Sequence, residues 1–222
     1  MKVNPSKTQL LCVSGAINYE TKSYVNLGND TIRSSDTMKI LGLTLDSKCT
    51  MAAHVANLKR KFAARIWIIR HLKRASLEAQ KLIRVYCSLI RSCLEYAGAT
   101  FHSLLTQTQS MMLERLQAIA LRTVFGWGVS YRECLRCSGL QSLAERRFNA
   151  CKSFATKAAN NVRFAKWFPE NHESTYQLRR RDRFRMDFAR HERLRKAPLY
   201  YMRRLLNELE RHEDLDFCDL DG

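Results

Sequence analysis

The hydrophobic positions along this 222-residue chain change period near residue 50. Before that point apolar residues come in short runs broken by turn chemistry. Residues 8–14 (TQLLCVS) form a β-tolerant run after Asn4-Pro5-Ser6. Residues 23–27 and 31–33 flank Gly28-Asn29-Asp30, the turn chemistry of a hairpin. Residues 38–45 (MKILGLTL) read as one further strand, with Gly42 inside it where backbone or a ligand can approach closely. The pattern predicts a sheet remnant of three or four strands with no helix of its own.

After Thr50 the period is helical. Val55, Leu58, Phe62, Ile66, Ile69 and Leu72 make one apolar stripe. Ser76 is the expected N-cap of a second helix, whose stripe Leu82, Tyr86, Leu89, Cys93 and Ala97 ends at Gly98. Thr106 and Gln109 form a capping box for a third helix, through Leu113, Leu116, Ala120 and Val124 to Gly126-Trp127-Gly128. Ser142 and Glu145 form another, opening a fourth helix through Phe148, Cys151, Phe154, Ala158 and Val162 that closes at Pro169. After an irregular stretch, a basic helix is expected from about Leu178 to Lys196, and Pro198 separates it from a last helix over 199–211. The fold class expected is mainly α: a small β-hairpin or sheet remnant followed by a helical bundle.

Charge changes the picture. The chain carries 38 Lys and Arg against 21 Asp and Glu, a net +17, with six His in reserve. Hydrophobic content of 45% argues against wholesale disorder, and three Pro with eight Gly argue against an all-β chain. No apolar run is long enough for a membrane span or a secretory signal. Such a surplus on a folded chain points to a polyanion. It concentrates in residues 51–110, with ten basic and two acidic side chains, and in 111–160, with eight and three. Residues 179–204 carry eleven and three, and from 205 onward the balance reverses to one and seven. That reversal fits a tail able to fold back on the basic surface, or a solvated helix and a frayed terminus.

Eight scattered Cys without a signal peptide imply reduced thiols and an intracellular setting, cytoplasmic or nuclear rather than secreted. Cys134 and Cys137 form a lone C-x-x-C, whereas structural zinc needs four ligands. Cys151 and His172 are conceivable recruits, yet Cys151 shares a helix face with Phe148 and Phe154. Buried thiols, and no metal, are the expectation.

Opposite the first apolar stripe, Arg60, Trp67, His71 and Arg74 share a face, with Lys59, Lys61 and Arg70 at its edges. Guanidinium groups there can neutralise phosphates, and an indole between them can lie along a sugar or base. The next helix carries a ridge of Lys81, Arg84, Ser88 and Arg91. The plainer alternative is two solvated faces, with Trp67 packed on a neighbouring layer. Phosphate contacts of this kind give affinity and salt dependence rather than sequence reading. Catalytic words are missing: no G-x-x-x-x-G-K-[ST], G-x-S-x-G or H-E-x-x-H occurs. The dense carboxylates Asp214, Asp216, Asp219 and Asp221 sit at a terminus, with nothing to fix them for metals about 4 Å apart. On its residues alone the chain reads as a binding module.

Two N-terminal stretches, MKVNPSKTQLLCVS at 1–14 and KILGLTLDSKCTMAAHV at 39–55, resemble the end of the palm in non-LTR retrotransposon reverse transcriptases, which are RNA-directed DNA polymerases. In that family an N-P-x-K-T turn follows the catalytic aspartates, K-x-L-G-x-x-L-D forms the primer-grip hairpin, and a helical thumb comes next. LEYA at 94–97, LTQTQ at 105–109, LERLQAIALR at 113–122 and GLQSLAERR at 139–147 are similar to the family's C-terminal extension. The resemblance covers about residues 1–185. It implies a palm end over 1–49, thumb-like helices over 50–104 and a helical extension over 105–168, to which the charge pattern adds a basic helix and a partly disordered acidic tail over 169–222. It further implies that Lys7 lies near the incoming nucleotide's phosphates as a general acid, or is a surface turn lysine. Leu41 and Gly42 would press on the primer end, or simply pack. The Arg60/Arg74 and Arg84/Arg91 faces would lie along RNA or an RNA–DNA hybrid.

The family's x-x-D-D turn, which holds its two magnesium ions, has no counterpart in this sequence. The expectation is therefore a truncated open reading frame with grip and thumb but no catalytic pair, without a cofactor of its own and inactive as a polymerase alone. Rival readings are a helical protein-interaction module that offers its basic surface to an acidic partner, and peripheral attachment of 178–211 to anionic membrane.

Overall fold

The computed structural model describes residues 4–13, 23–171 and 182–218. The architecture is mainly α, with two small antiparallel hairpins ahead of the helices. Strands β1 (Tyr24–Leu27) and β2 (Asp30–Arg33) form one two-stranded sheet, and β3 (Thr37–Ile40) and β4 (Leu43–Asp46) form another. The helices are α1 (Ala52–Arg74), α2 (Ala79–Tyr86), α3 (Ser92–Glu95), α4 (Gly98–Phe101), α5 (Gln107–Phe125), α6 (Tyr131–Ser138), α7 (Leu143–Ala159), α8 (Glu192–Arg195) and α9 (Pro198–Cys218). They group into two compact units. The first comprises Met1–Tyr96 and Leu105–Leu140, and the second Ala97–Leu104 and Gln141–Gly222.

In the first unit, the stretch expected as one strand over 38–45 is instead a hairpin, with Ile40 paired to Leu43 across a two-residue turn. Leu41 and Gly42 both take positive φ, +45° and +87°, as a type I′ turn demands. Periodicity misses it because Leu occupies a position that normally calls for Asn, Asp or Gly. The run over 8–14 contributes one bridge, Leu10 with Ser34, and Ser14 lies outside the described residues. Asp46 governs the passage from β4 to α1: its carboxylate accepts from the Lys48 and Thr50 N–H groups and the Thr50 hydroxyl at 2.9–3.0 Å.

The first apolar stripe is buried as patterned, from Val55 through Ile69, and α1 packs on α5 and β4. Ser76 is not an N-cap. It takes φ +61° just past α1, where the Ser76 N–H bonds to Lys73 O and the Leu77 N–H to Leu72 O, the Schellman closure of a helix end. The second stripe shifts by one residue. A π-helical turn spans Cys87–Arg91, so burial passes from Leu82 and Tyr86 to Ile90 and Leu94, leaving Leu89 exposed and Cys93 half-buried. The wider turn accommodates one extra residue and moves the face with it. The Thr106–Gln109 capping box forms as read, and Gln109 Nε2 reaches Thr50 O at 2.8 Å to tie α5 to the start of α1. Helix α6 was not anticipated. Its eight residues are too few for periodicity to register, although Ser130 caps it and Gly139 closes it in the left-handed region.

In the second unit the Ser142–Glu145 capping box opens α7. The buried face of α7 is Leu143, Arg147, Cys151, Ala155 and Ala158, while Phe148, Phe154 and Val162 are exposed. Arg147, only 1% exposed, lies over Gly98, where an added Cβ would come within 3.2 Å of Arg147 Cγ. The core joins Ala155, Ala158, Phe168, Phe184, Met202 and Leu206. Residues 182–191 are not helical as expected. Asn207 on α9 donates to Phe184 O and accepts from Phe184 N–H, both at 2.9 Å, and Glu170 bridges Phe184. These bonds hold the segment extended and confine helix to Glu192–Arg195. Pro198 is the first residue of α9, where a missing N–H costs nothing. His172, residues 178–181 and the acidic side chains of the tail lie outside the described residues.

Candidate nucleic-acid interface

The sequence directs attention to α1, and the structure places its cationic residues on the solvent side. Across 23 residues α1 contains seven Lys and Arg and no carboxylate. Lys59, Arg60, Lys61, Arg70 and Arg74 are all exposed. Trp67 is 53% exposed, so it is not packed on a neighbouring layer. The His71 ring stands edge-on to the Trp67 ring at 5.1 Å, and His71 Nδ1 lies 2.9 Å from Trp67 O. The indole therefore presents a face held in one orientation. Arg60 hydrogen-bonds to Asn57 Oδ1, which braces it along the helix.

At its N-terminal end this face runs into a cleft of about 330 Å³ lined by Lys39, Gly42, Thr44, Asn57, Arg60 and Lys61, with His54 at its floor. No carboxylate is among its described lining residues. The cleft exists because β4 rests on the first turns of α1: Asn57 Nδ2 donates to Thr44 Oγ1 at 2.8 Å, and the Thr44 N–H points to His54 Nδ1 at 3.4 Å. Burial, reinforced by the charge of Lys61, holds the His54 pKa below its ordinary value. Gly42 lines one side of the cleft, in the same turn as Leu41. Tyr96 meets them from the end of α3, donating its hydroxyl to Leu41 O at 2.7 Å.

The ridge on the second helix divides. Lys81 and Arg84 are exposed, with Lys81 paired to Glu78 at 3.3 Å. Arg91 is drawn inward and paired to Glu95 at 3.7 Å, each side chain about one-fifth exposed. Lys7 is exposed at the end of a short 3-10 turn that Asn4 caps. Two residues on, Gln9 Oε1 accepts from the Lys39 N–H at 3.3 Å, which brings this segment alongside β3. Lys39, His54, Asn57 and Tyr96 were not singled out from the sequence. Lys39 and His54 lie inside the 39–55 word and Tyr96 inside LEYA at 94–97, whereas Asn57 had no local signal.

Among the described residues no group of three or more His, Cys, Asp or Glu is placed to hold a metal ion, and no helix is long and apolar enough to cross a membrane. Cys134 is buried and Cys137 exposed on α6, with burial pushing the Cys134 thiol upward.

A hairpin turn set against an acid-free helix, with a cationic cleft beside them, presents positive charge with no carboxylate among the described lining residues, the chemistry that suits a polyanion. In sequence the chain resembles an RNA-directed DNA polymerase of a mobile element. It is similar to the RNA-directed DNA polymerase from mobile element jockey of Drosophila melanogaster, 26% identical over 136 residues that cover 59% of this chain and 14% of that protein. The chain thus spans about one-seventh of the length of the curated relative it matches. No family model matches the chain, and no solved structure matches it.

Proposed function

We propose that this chain is the strand-gripping portion of a retrotransposon reverse transcriptase, a palm end with thumb-like helices and a helical extension, and that it binds RNA or an RNA–DNA hybrid. The observation that carries this reading is the carboxylate-free cleft at the Leu41–Gly42 turn, which opens onto the cationic face of α1. A phosphodiester backbone entering the cleft meets Lys39, Arg60 and Lys61, and following α1 it meets Trp67, Arg70 and Arg74. Trp67 supplies a stacking surface that accepts any base. These contacts neutralise charge without reading sequence. The chain is polymerase-inactive alone, because its sequence has no x-x-D-D word to hold the catalytic magnesium ions.

Two assays on the purified chain test this reading. Magnesium-dependent incorporation of deoxynucleotides on a primed RNA defeats the inactivity claim. In competition, a short RNA–DNA hybrid displaces labelled RNA more effectively than acidic lipid vesicles do. Equal or better displacement by vesicles defeats the nucleic-acid claim in favour of a general acidic surface.

A further inference from the structure

Tyr96 makes two contacts that its own burial does not explain. It is 54% exposed, yet its hydroxyl reaches 55 residues back along the chain to donate to Leu41 O at 2.7 Å. Its ring also lies against Gly42, where an added Cβ would approach Tyr96 Cε1 to 3.2 Å. The turn it touches is strained. Leu41 holds φ +45°, a region costly for a residue with a Cβ, while its side chain is 87% exposed. No packing of the Leu41 side chain offsets that cost. Among the described residues the β3–β4 sheet has two strands, and no third strand fixes the tip.

We propose that Tyr96 is a positioning residue that locks the Leu41–Gly42 peptide and thereby aims the Gly42 N–H as a donor for one backbone phosphate of the bound strand. A trans peptide is planar, with its C=O and N–H pointing in opposite directions. Fixing the Leu41 carbonyl on the Tyr96 hydroxyl therefore turns the Gly42 N–H away from Tyr96. Gly42 lines the cleft together with Lys39, Arg60 and Lys61, so a phosphate held there meets a backbone donor alongside three cations. Glycine at 42 serves both the positive φ and the close approach of the Tyr96 ring. This inference rests on the nucleic-acid reading above and adds to it the residue that sets the grip.

The test uses Tyr96→Phe in the full chain, which keeps the ring on Gly42 and removes only the hydroxyl. The Leu41, Gly42 and Leu43 amide resonances, read by NMR without nucleic acid, shift and exchange faster in Tyr96→Phe, while the rest of the spectrum is retained. Unchanged resonances at these three positions overturn the lock. Binding is then measured on a set of RNA–DNA hybrids, each carrying one neutral methylphosphonate linkage at a different position. For the wild-type chain, one linkage weakens binding about tenfold, the loss of one charge-assisted hydrogen bond. In Tyr96→Phe, all-phosphate binding is weaker and that linkage costs several-fold less than in wild type, since only the cations still meet it, an interaction that a merely structural role would not produce. If wild type binds and Tyr96→Phe shows the same linkage profile, the Tyr96 proposal fails alone. If wild type does not bind the hybrid, the nucleic-acid reading fails and takes this inference with it.

Discussion

Tyr86 on α2 donates its phenolic hydroxyl to Gln117 Oε1 on α5 at 2.6 Å, with both residues fully buried. Gln117 Nε2 in turn donates to the Tyr131 hydroxyl at 3.0 Å, and Tyr131 donates to Glu114 Oε2 at 2.7 Å. This chain of bonds joins α2, α5 and α6 through the middle of the first unit. Burial pushes the Tyr86 hydroxyl far above its ordinary range, so it remains a donor at any working pH.

Tyr86→Phe removes that donor and is expected to destabilise the first unit by about 1–2 kcal/mol. Combining it with Gln117→Leu should cost less than the two changes summed, because the pair acts together. Urea denaturation of the two single variants and the double variant measures this. Additive losses would show that the bond carries no coupling.

Acid weakens both units through one buried and one half-buried imidazole. His54 in the first unit and His102 in the second each have a pKa held below the ordinary 6.5, by burial first and then by Lys61 and Arg147 respectively. A depressed folded-state pKa means that the unfolded chain binds the proton more readily. Stability is therefore complete above 6.5 and is lost as pH falls from there through the lower folded values. Protonation of His54 also puts a hydrogen on Nδ1, facing the Thr44 N–H. Melting curves from neutral to mildly acidic pH should slope downward, and His54→Asn with His102→Asn should flatten that slope. A slope unaffected by both substitutions contradicts the assignment.

Thiol reactivity should follow burial. Cys137 is exposed, whereas Cys134 and Cys151 are buried. Burial pushes Cys151 up to about 11 against the opposing charge of Arg147. Iodoacetamide is expected to label Cys137 before Cys134 or Cys151, as read by peptide mass spectrometry. For Cys151 the folded pKa is raised, so its contribution to stability is intact below the unfolded thiol value of 9.0 and is lost as pH rises through about 11. Treatment with EDTA should leave the melting temperature unchanged, as expected if Cys134 and Cys137 hold no zinc.

Thr106→Ala and Ser142→Ala each remove the side-chain half of a capping box and should cost about 1 kcal/mol, readable as a lower denaturation midpoint. These boxes were legible because a cap is a local signal: three residues' spacing decides it, and the helix follows. The stripe of α1 was legible for the same reason, since regular α-helix carries its own ruler. The second stripe was not, because the π turn at Cys87–Arg91 breaks the ruler without any mark in composition. The face of α7 was misjudged because two phenylalanines outweighed Arg147, whose burial depends on Gly98 from another element. At the site, the cationic face of α1 could be read directly from spacing. The cleft could not, since its parts lie at 39, 42, 54 and 60 and meet only through tertiary contacts. The type I′ turn escaped the pattern of hydrophobic residues, although the resemblance to a primer-grip hairpin placed a hairpin over the same residues.

The central claim is that α1 and the cleft at its head grip a nucleic-acid backbone, and filter binding of a short RNA–DNA hybrid at two salt concentrations tests it most directly. Affinity is expected to fall steeply as salt rises. Arg60→Ala combined with Arg74→Ala is expected to weaken binding and to reduce the salt slope by about two phosphate contacts. An affinity indifferent to salt, or one that the double substitution leaves unchanged, would contradict it.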